Sequence, residues 1–562
     1  MHKSPKLQIS GLIGIICVLI GAGVLIRTAC FVMSADIWFD ELFTVELALK
    51  PMNEMLALAA RDVHPPLYYI LTHLVYITLH SAFGTDVTVA AKITSILPYA
   101  GVCIYLMTFV RRRFGLTAAG IAFLLIMTMP HMSEFMVEAR MYSWCAFCLL
   151  AMYIHAAEYI RSIDSGADSG DRGRRSGRLS LIHPVCVMLY GIASMYLHYY
   201  GLIGAALTAL GTLAAVFILE RRGGLYSAAG DTHLRITHGR IVLMCIAAAI
   251  AAYVPWIQVL KGQIGQVSES YWIQPVTLRT LAGSVKYVFM PAFENGVFSV
   301  ICALVMIAGF LWFTAEYIRH SRAFQGRCDD KIASVICAIA VPAGLVIAGF
   351  IASLIIRPVF VYRYMFPAMF IFWTGAGIMA ADMIERMTGT FGIPGEKARS
   401  GIVSSMLVCL ICAVYVCAGV RSYNLFRWEE SRKAEGMKRC TEVFDEIGRE
   451  HPDTLIVCNF NQMQAILWHY LDNDSLLWGY TDETLIAEIC GRSPIVMTDD
   501  PVKLKEIVSD RGQNEFLFVG SGNARDEIIE EWKSCGFFTE LLQDSCFLER
   551  YYANIYKVGF ER

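Results

Sequence analysis

The chain has 562 residues, of which 56% are hydrophobic and only 17% are charged, against about 25% charged residues in an ordinary soluble domain. This composition argues against a soluble protein, and it excludes a disordered chain, a collagen and a disulfide-stapled miniprotein. Residues 1–420 carry 31 basic and 23 acidic side chains, a net charge of +8, whereas residues 421–562 carry 16 and 26, a net charge of −10. We therefore predict a membrane domain over 1–420 and a water-soluble domain over 421–562. Neither part has the dense basic patch that a nucleic-acid partner needs.

Eleven apolar runs are long enough to be transmembrane helices, each of which needs roughly 20 mostly apolar residues. The first run, Gly11 to Met33, follows a short basic start and has no small-residue cleavage site, so we expect a retained anchor and not a signal peptide. The other ten runs lie near 87–110, 116–130, 141–160, 181–197, 200–219, 241–260, 297–318, 332–356, 360–381 and 401–420. The sequence therefore predicts a polytopic α-helical membrane protein.

There is a twelfth apolar run, Pro66 to Phe83. The charge of the loops along the chain indicates whether it crosses the membrane. Loops on the cytoplasmic side of a membrane are enriched in Lys and Arg. If this run does not cross the membrane, five basic loops, of which 111–113 is the first, lie on the cytoplasmic side together with the basic N-terminus. If the run does cross, all five loops face outward while the N-terminus stays inside. We therefore predict a juxtamembrane helix over 66–83 in the outer leaflet, inside a long first outer loop of residues 34–86. Eleven crossings from a cytoplasmic N-terminus place the C-terminal domain outside.

The C-terminal domain alternates short β-rich runs with amphipathic stretches, which indicates a small α/β fold. The predicted strands lie at 454–460, 494–498 and 515–520, and the predicted helices at 461–471 and 524–535. The segment Gly520 to Gly522 could hold an anion at a helix start, but a simple turn is favoured because no fuller glycine fingerprint surrounds it. Five of the 18 cysteines lie in this domain, and their pairing cannot be deduced from the sequence: Cys440, Cys458, Cys490, Cys535 and Cys546.

Ionisable residues concentrate at the outer ends of the predicted spans. Asp40 and Glu41 are adjacent at the mouth of the first span, where two carboxylates need a cation, a metal or a substrate proton to offset their desolvation. The alternative is that Asp40 caps a helix over 41–49. His64 precedes two prolines, which restrict it to an extended backbone. Its imidazole could be held there as a metal ligand or phosphate partner, or the segment could simply be a rigid turn.

The second outer loop contains Glu134, Glu138 and Arg140. If the loop is helical, the two glutamates share one face, and Arg140 opens the next span instead of lying in water. The alternative is a structural contact between Glu138 and Arg140. Arginines at outer span ends suit an anion such as a lipid phosphate, although an ordinary headgroup contact is also open. Four further candidates lie at later outer turns: His198, Tyr199, Arg363 and Tyr364.

These stretches, in this order, resemble the integral-membrane glycosyltransferases of the type C fold (GT-C). The resemblance is strongest to the bacterial family 39-like branch, which is related to protein O-mannosyltransferases and lipid A aminoarabinose transferases. It covers roughly residues 10 to 380, and the C-terminal domain has no counterpart that we recognise. The matching stretches are Trp38 to Leu42, His64 to Tyr69, Arg111 to Gly115, Glu138 to Ser143, Tyr196 to Tyr199 and Arg363 to Pro367.

The resemblance implies a sugar donor carried on a polyprenyl phosphate among the membrane lipids, and a lipid, glycan or protein acceptor that enters from the extracytoplasmic side of a bacterial plasma membrane. It implies inverting transfer with Asp40 as general base and Glu41 as its support. A divalent metal stays open, with Glu41, His64 and Glu138 as candidate ligands. The residues implied for donor phosphate or acceptor binding are His64, Glu138, Arg140, His198, Tyr199, Arg363 and Tyr364.

Two other classes of protein are compatible with many spans. A lipid or sugar transporter or flippase should have ionisable residues near the middle of its spans, lining a path. The span centres at 119–127, 205–215, 244–250, 337–349 and 405–415 contain none, which weighs against that class. A membrane-anchored sensor or binding protein, in which the C-terminal domain does the work, would not need eleven spans as an anchor.

Overall fold

The computed structural model describes residues 5–33, 37–168, 176–222, 237–269, 273–290, 296–320, 330–388, 396–450, 454–471, 475–479, 484–492, 497–548 and 551–561. Parts of the predicted basic loops, at 169–175, 223–236 and 321–329, lie outside these described residues. The orientation in the membrane, which depends on those loops, therefore stays a prediction.

The first 450 residues are almost entirely helical, and each of the eleven predicted crossings lies on a helix. Long apolar runs favour this outcome because, in lipid, a helix satisfies all its backbone hydrogen bonds internally. A π-helical turn (Leu106–Val110) joins α5 to α6, and a 3₁₀ turn (Tyr362–Met365) precedes α15. The helices are α1 (Pro5–Val32), α2 (Phe39–Leu49), α3 (Met52–Arg61), α4 (Leu67–Phe83), α5 (Val87–Tyr105), α6 (Arg111–Thr128), α7 (Met132–Val137), α8 (Tyr142–Asp168), α9 (Ser176–Leu197), α10 (Tyr199–Arg222), α11 (His238–Glu269), α12 (Leu278–Phe289), α13 (Gly296–His320), α14 (Asp330–Ile355), α15 (Phe366–Thr388) and α16 (Glu396–Glu450).

Seven helical segments of the described chain are long and apolar enough to cross a membrane, so this is a multi-pass membrane protein. One of them, Val87–Thr128, has 42 residues; as a straight helix it would measure about 63 Å, twice the hydrocarbon core of a bilayer. Its helix is interrupted at Gly115, where φ is 88°, between the two crossings predicted there. The apolar helix Leu67–Phe83, predicted as juxtamembrane, is shorter, as are Leu181–Leu197 and Gly296–Trp312. The count of eleven crossings stays a prediction.

The membrane domain is built around α15 and α8, whose apolar stretches are almost completely enclosed by other helices. The helices at the periphery of the bundle expose apolar side chains, because one face of each of these helices contacts lipid. Leu19 of α1, for example, is 66% exposed. Small residues allow the closest helix contacts. A Cβ atom placed on Gly120 of α6 would lie 2.4 Å from the carbonyl oxygen of Gly14 in α1, so the backbones of these two helices touch.

The chain from residue 454 onward forms a six-stranded sheet with four helices. Strand β1 pairs in parallel with β2 and β4, β2 pairs in parallel with β3, and β6 pairs antiparallel with β4 and β5. The predicted α/β character is confirmed. The elements, in the sheet order β3-β2-β1-β4-β6-β5, are β1 (Ile456–Cys458), β2 (Ser475–Trp478), β3 (Met497–Thr498), β4 (Glu515–Ser521), β5 (Phe537–Leu548) and β6 (Tyr551–Phe560), with helices α17 (Asn461–Leu471), α18 (Thr484–Ile489), α19 (Pro501–Asp510) and α20 (Gly522–Ser534).

The C-terminal domain, predicted to be soluble, lies against the predicted first outer loop. Helix α16 has 55 residues and runs without a break through the predicted domain boundary at 420/421. Beyond it, Ile466 and Trp468 of α17 are buried in one apolar cluster with Leu42 and Val45 of α2. At the edge of this contact His469 Nδ1 lies 2.9 Å from Glu46 Oε1. The soluble domain therefore covers the helix that carries Asp40.

Candidate active site

Asp40 lies in the first turn of α2, at the end of the membrane domain that is predicted to face outward. Its Oδ2 accepts a hydrogen bond from Arg363 Nη1 at 3.3 Å. About a quarter of each side chain is exposed, 24% for Asp40 and 27% for Arg363. The helix cap is formed instead by Trp38, whose backbone N–H donates to Glu41 Oε2 at 3.0 Å. Asp40 is thus held by a cation while it stays accessible.

Arg140, in the segment between α7 and α8, links the second outer loop to the first. Its Nη1 donates to the backbone carbonyl of Asp40 at 2.8 Å, and its Nη2 lies 3.4 Å from His64 Nε2. The side chain is 4% exposed, and its buried Nε has no hydrogen-bond partner among the described residues. Two arginines, Arg140 and Arg363, therefore converge on Asp40 from different parts of the chain.

His64 is neutral and is oriented by Asp62. Its Nδ1 lies 3.2 Å from Asp62 Oδ2, which also accepts from the Tyr69 hydroxyl at 3.0 Å. Burial and the positive charge of Arg140 lower the pKa of His64. Burial by itself raises the pKa of Asp62, but the hydrogen bond with His64 and the charge of Arg140 bring it below its usual value. We infer that the ring proton is on Nδ1, so Nε2 accepts from Arg140.

His198 is also neutral, but its proton is on the other ring nitrogen. Its Nδ1 accepts from the backbone N–H of Tyr200 at 3.0 Å, so the proton of the neutral ring lies on Nε2. Its ring centroid is 6.0 Å from that of His64 and 4.9 Å from that of Tyr364. Burial, followed by the proximity of His64 and the positive charges of Arg140 and Arg363, lowers the pKa of His198 well below its usual value. The site thus contains an uncharged N–H donor beside its arginines.

Glu41 is buried in an ion pair with Lys92 of α5, and each side chain is only 2% exposed. Lys92 Nζ donates to Glu41 Oε1 and to the Val137 carbonyl at 3.0 Å. The same Glu41 oxygen accepts from the Ala139 backbone N–H at 2.6 Å. This pair joins α2 to the segment that carries Arg140. Lys92 was not among the residues selected from the sequence, although a lone lysine in an apolar helix was a usable signal.

Glu138 does not share a helical face with Glu134. Helix α7 ends at Val137, and Glu138 has extended backbone angles (φ −62°, ψ 127°), so the condition for a shared face is not met at that residue. The carbonyl of Glu138 accepts from the Arg140 backbone N–H at 2.8 Å, which is the local structural contact left open above. Glu138 is 5% exposed, and its carboxylate is near enough to Arg363 to interact with it electrostatically.

Tyr199 and Tyr364 border the charged centre. The Tyr199 hydroxyl donates to Gln263 Oε1, and Gln263 Nε2 donates to the carbonyl of Asp62. Tyr199 therefore reaches the site only through Gln263 of α11, a residue for which the sequence offered no signal beyond its polarity. The Tyr364 ring is buried between His198 and Tyr200, at 4.9 Å from each ring centroid.

The residues of the site do not form a dedicated metal centre. Within the described ranges, no three His, Cys, Asp or Glu side chains converge as a ligand set, whereas a divalent cation takes several oxygen ligands. Of the candidate ligands, Glu41 is paired with Lys92 and His64 with Asp62 and Arg140. We therefore derive no step through a metal.

This architecture is similar to that of solved membrane glycosyltransferases. ArnT from Cupriavidus metallidurans in the apo state aligns over 96% of this chain and 97% of its own, with a TM-score of 0.53 and 14% identity. ArnT bound to undecaprenyl phosphate aligns over the same shares, with a TM-score of 0.50 and 13% identity. The chain has the type C glycosyltransferase fold. The predicted GT-C fold class is thereby confirmed.

Other comparisons add little to the fold assignment. The oligosaccharyltransferase AglB from Archaeoglobus fulgidus, in complex with an inhibitory peptide and a dolichol-phosphate, reaches a TM-score of 0.43 at 11% identity, over 89% of this chain and 69% of its own. That score is too low to support an argument. No model of a known protein family matches the chain, and no curated protein matches its sequence. Within the type C fold, the roles of the site residues must be argued from their geometry.

Proposed function

We propose that the protein is an inverting glycosyltransferase. It moves a sugar from a polyprenyl-phosphate donor to a hydroxyl of an acceptor at the extracytoplasmic face of a bacterial plasma membrane. The observation that carries this proposal is the accessible Asp40 carboxylate, flanked by Arg363 and Arg140 and accompanied by two histidines whose pKa is lowered. The donor class is supported by the similar fold of ArnT in its complex with undecaprenyl phosphate.

The proposed reaction is a single displacement at the anomeric carbon. The acceptor oxygen forms the new C–O bond as the bond from that carbon to the phosphate oxygen breaks, and the leaving lipid phosphate takes the electron pair. Asp40 accepts the hydroxyl proton as general base. Because the displacement is direct, it inverts the anomeric centre and needs no second carboxylate as nucleophile.

The cations and N–H donors stabilise the departing phosphate. Arg363 and Arg140 carry positive charge that is partly desolvated, where it offsets a developing anion most strongly. The Nε2–H of His198 adds a neutral donor. The buried Nε of Arg140, which has no hydrogen-bond partner among the described residues, is a further donor. In this proposal His64, held by Asp62, positions Arg140.

The remaining candidates have supporting roles in the proposal. Glu41, buried with Lys92, fixes the backbone around Asp40 and is a positioning residue. Glu138 contributes negative charge near Arg363, where it can orient the acceptor. Tyr199 acts through Gln263, and Tyr364 packs against His198.

Substitution of Asp40 tests the proposal. Purified full-length protein is incubated with a panel of undecaprenyl-phosphate hexoses and pentoses plus an envelope extract as acceptor, and released undecaprenyl phosphate is measured. Loss of a general base costs about 10²- to 10⁴-fold, so we expect Asp40→Asn to lower kcat by roughly 10³-fold. The control Glu54→Gln changes an exposed carboxylate of the same outer loop and should keep full activity.

Two results would contradict the proposal at different levels. Full activity of Asp40→Asn, with an unchanged melting temperature, would remove Asp40 from the mechanism. The glycosyltransferase itself would be rejected by two results together. The wild-type protein would release no undecaprenyl phosphate from any donor, and mass spectrometry would find identical envelope glycans and glycolipids in cells with and without the protein. When the spectra differ, the difference identifies the sugar and the acceptor.

A further inference from the structure

Helix α16 makes unusually close contact with the β5–β6 hairpin of the soluble domain. Residues Arg432, Gly436 and Cys440 follow one another at four-residue spacing and so lie on one face of the helix. The Arg432 guanidinium donates to the Tyr552 hydroxyl and lies 5.1 Å from the ring centroid of Phe547. A Cβ atom on Gly436 would lie 1.9 Å from the Phe547 carbonyl oxygen. Helix and strand backbones therefore touch at this point.

One turn further along the same face, Cys440 lies beside the strand at Cys546, the residue before Phe547. Both cysteines are 0% exposed and belong to one apolar cluster; each is a free thiol in the structure. The strand is irregular just before Cys546: the pairing of β5 with β6 shifts between Gln543 and Cys546, and Ser545 has a φ of 54°. Two cysteines from distant parts of the chain are thus brought into one buried cluster.

We propose that Cys440 and Cys546 are a site of covalent modification: they form a disulfide that joins the end of α16 to the sheet. The inference rests on the predicted location of this domain outside the membrane, where disulfides form and persist. It selects one pair from the five cysteines that the sequence left unassigned. Cys458 is equally buried in the same cluster, but it lies on β1, whereas Cys440 and Cys546 both lie next to the close approach of Gly436 to the Phe547 backbone.

The oxidant is the disulfide of an envelope thiol oxidase. The Cys546 thiolate attacks the oxidase disulfide, and the Cys440 thiolate then displaces the oxidase sulfur from the mixed disulfide. One S–S bond forms and one breaks, and the two electrons and two protons end on the oxidase as a dithiol. The exchange precedes burial of the pair.

Differential alkylation of the full chain tests the bond. Protein purified without reductant is denatured, treated with iodoacetamide, reduced, and treated with N-ethylmaleimide. We expect N-ethylmaleimide on Cys440 and Cys546 and iodoacetamide on Cys458. Without reduction, trypsin should yield peptide 440–449 linked to peptide 534–550, and fragmentation should place the link at Cys546 because Cys535 in the same peptide carries iodoacetamide. Complete iodoacetamide labelling of Cys440 and Cys546 would overturn the proposal.

A second label separates this result from the orientation of the domain. Cys535 is exposed, so a membrane-impermeant maleimide should label it on intact cells, and Cys535→Ser should lose that label. Outside labelling combined with free Cys440 and Cys546 overturns the disulfide and leaves the transferase proposal standing. Protection of Cys535 combined with free thiols overturns the disulfide and the predicted orientation together.

Thermal unfolding measures what the bond contributes. A cross-link between residues far apart in the chain restricts the unfolded state strongly. We expect a phosphine reductant to lower the unfolding temperature of the wild type by about 5 °C and to leave that of Cys440→Ser/Cys546→Ser unchanged. The control Cys458→Ser should respond to the reductant as the wild type does. An equal response of the wild type and the double variant would contradict the bond.

Discussion

Two histidines in the candidate site present the same ring nitrogen, Nε2, in opposite hydrogen-bonding roles. His64 accepts at Nε2 because its Nδ1 proton is directed at Asp62, and His198 donates at Nε2 because its Nδ1 accepts from Tyr200. A protonated ring would add a positive charge beside Arg140, in a place where burial already disfavours charge. Each of the two histidines therefore fits the site only when its imidazole is neutral.

This arrangement makes the stability of the protein dependent on pH. The pKa of both histidines is lower in the fold than the 6.5 of an unperturbed side chain. Below pH 6.5 the unfolded chain binds protons that the folded chain does not, so the free energy of unfolding decreases as the pH falls and is fully restored above 6.5. Asp62 adds no slope there, because a lowered carboxyl pKa affects stability only below its unperturbed value of 3.8.

The prediction is checked by unfolding temperatures measured between pH 8 and pH 5. We expect a plateau above about pH 7 and a decline below 6.5 for the wild type, and a shallower decline for His198→Gln, which removes one of the groups. The exposed His80 is the control, and His80→Gln should retain the wild-type slope. A slope unchanged in His198→Gln would show that this histidine is not neutralised by the fold.

The sequence led to many of the residues that meet in this site, because ionisable side chains at outer span ends are uncommon. Asp40, Arg140 and Arg363 were selected for that reason and lie together in the structure. Lys92 and Gln263 were missed. Their partners are 51 residues away for Lys92 and about 200 away for Gln263, and no local spacing records such a contact.

At the level of elements, the Glu41–Lys92 pair holds α2, α5 and the segment before α8 together. Removing one partner of a buried ion pair leaves an uncompensated charge and costs about 3–5 kcal/mol, whereas replacing both partners is often nearly neutral. We therefore expect Lys92→Met to lower the free energy of unfolding by that amount, and Glu41→Gln/Lys92→Met to recover most of the loss. The measurement is equilibrium unfolding in detergent.

A second ion pair, exposed to solvent, serves as the control that shows whether burial causes the loss of stability. Lys438 and Glu442 form an ion pair on α16 with side chains that are 77% and 65% exposed, and such pairs contribute little. Lys438→Met should therefore leave stability almost unchanged. If Lys92→Met were as mild as Lys438→Met, the assignment of Glu41 as a buried positioning residue would be wrong.

The contact between α16 and β5 depends on a glycine. Any side chain at Gly436 would meet the backbone of Phe547, and a backbone atom cannot move aside as a flexible side chain can. Overpacking typically costs about 1–3 kcal/mol, so Gly436→Ala should destabilise the soluble domain in that range. Gly448 lies on the same helix with open space around it, so Gly448→Ala should be neutral or stabilising by up to about 1 kcal/mol.

Limited proteolysis of the soluble domain, at increasing temperature, compares these two variants. Faster cleavage of Gly436→Ala and wild-type or slower cleavage of Gly448→Ala is the expected pattern. Equal cleavage of both variants would mean that α16 and β5 can separate without loss, and the close approach between them would have no structural importance.

Long apolar helices were predictable, while irregular elements were not. The apolar runs specify helices because lipid permits few alternatives. The β5–β6 hairpin was missed because the pairing shifts around Gln543 disturb the alternation by which a strand is recognised. Helix α12 was missed because its 12 residues are too few for a span. The conformation at Glu138 was left open because spacing cannot show where α7 ends.

At the scale of the whole molecule, Lys92 bears on the alternative of a transporter. An ionisable residue in an apolar helix is what a transport path would contain. However, Lys92 lies near the start of α5 and its charge is compensated by Glu41 and the Val137 carbonyl. It is therefore part of the outer site and gives no support to a path across the membrane.

The two domains are coupled through α2. Composition predicted a separate soluble unit, but it could not predict where that unit docks, because the contact residues are ordinary apolar side chains of α17 and α2. The structure places them in one buried cluster, and an additional pair, Arg61 and Glu488, joins the loop to α18. Since α2 carries Asp40, anything that loosens α17 should also loosen the candidate base.

A charge placed in this contact tests the coupling. Ile466 is 2% exposed at the contact, and a carboxylate buried there without a partner would cost several kcal/mol, so Ile466→Glu should separate α17 from α2. We expect faster hydrogen exchange across Phe39–Leu49 and a fall in transfer rate of roughly 10-fold or more, because a small displacement of a catalytic group is costly. Val502→Glu, at a position of α19 that is 62% exposed, is the matched control. Unchanged exchange of α2 in Ile466→Glu would show that Asp40 is positioned by the membrane domain alone.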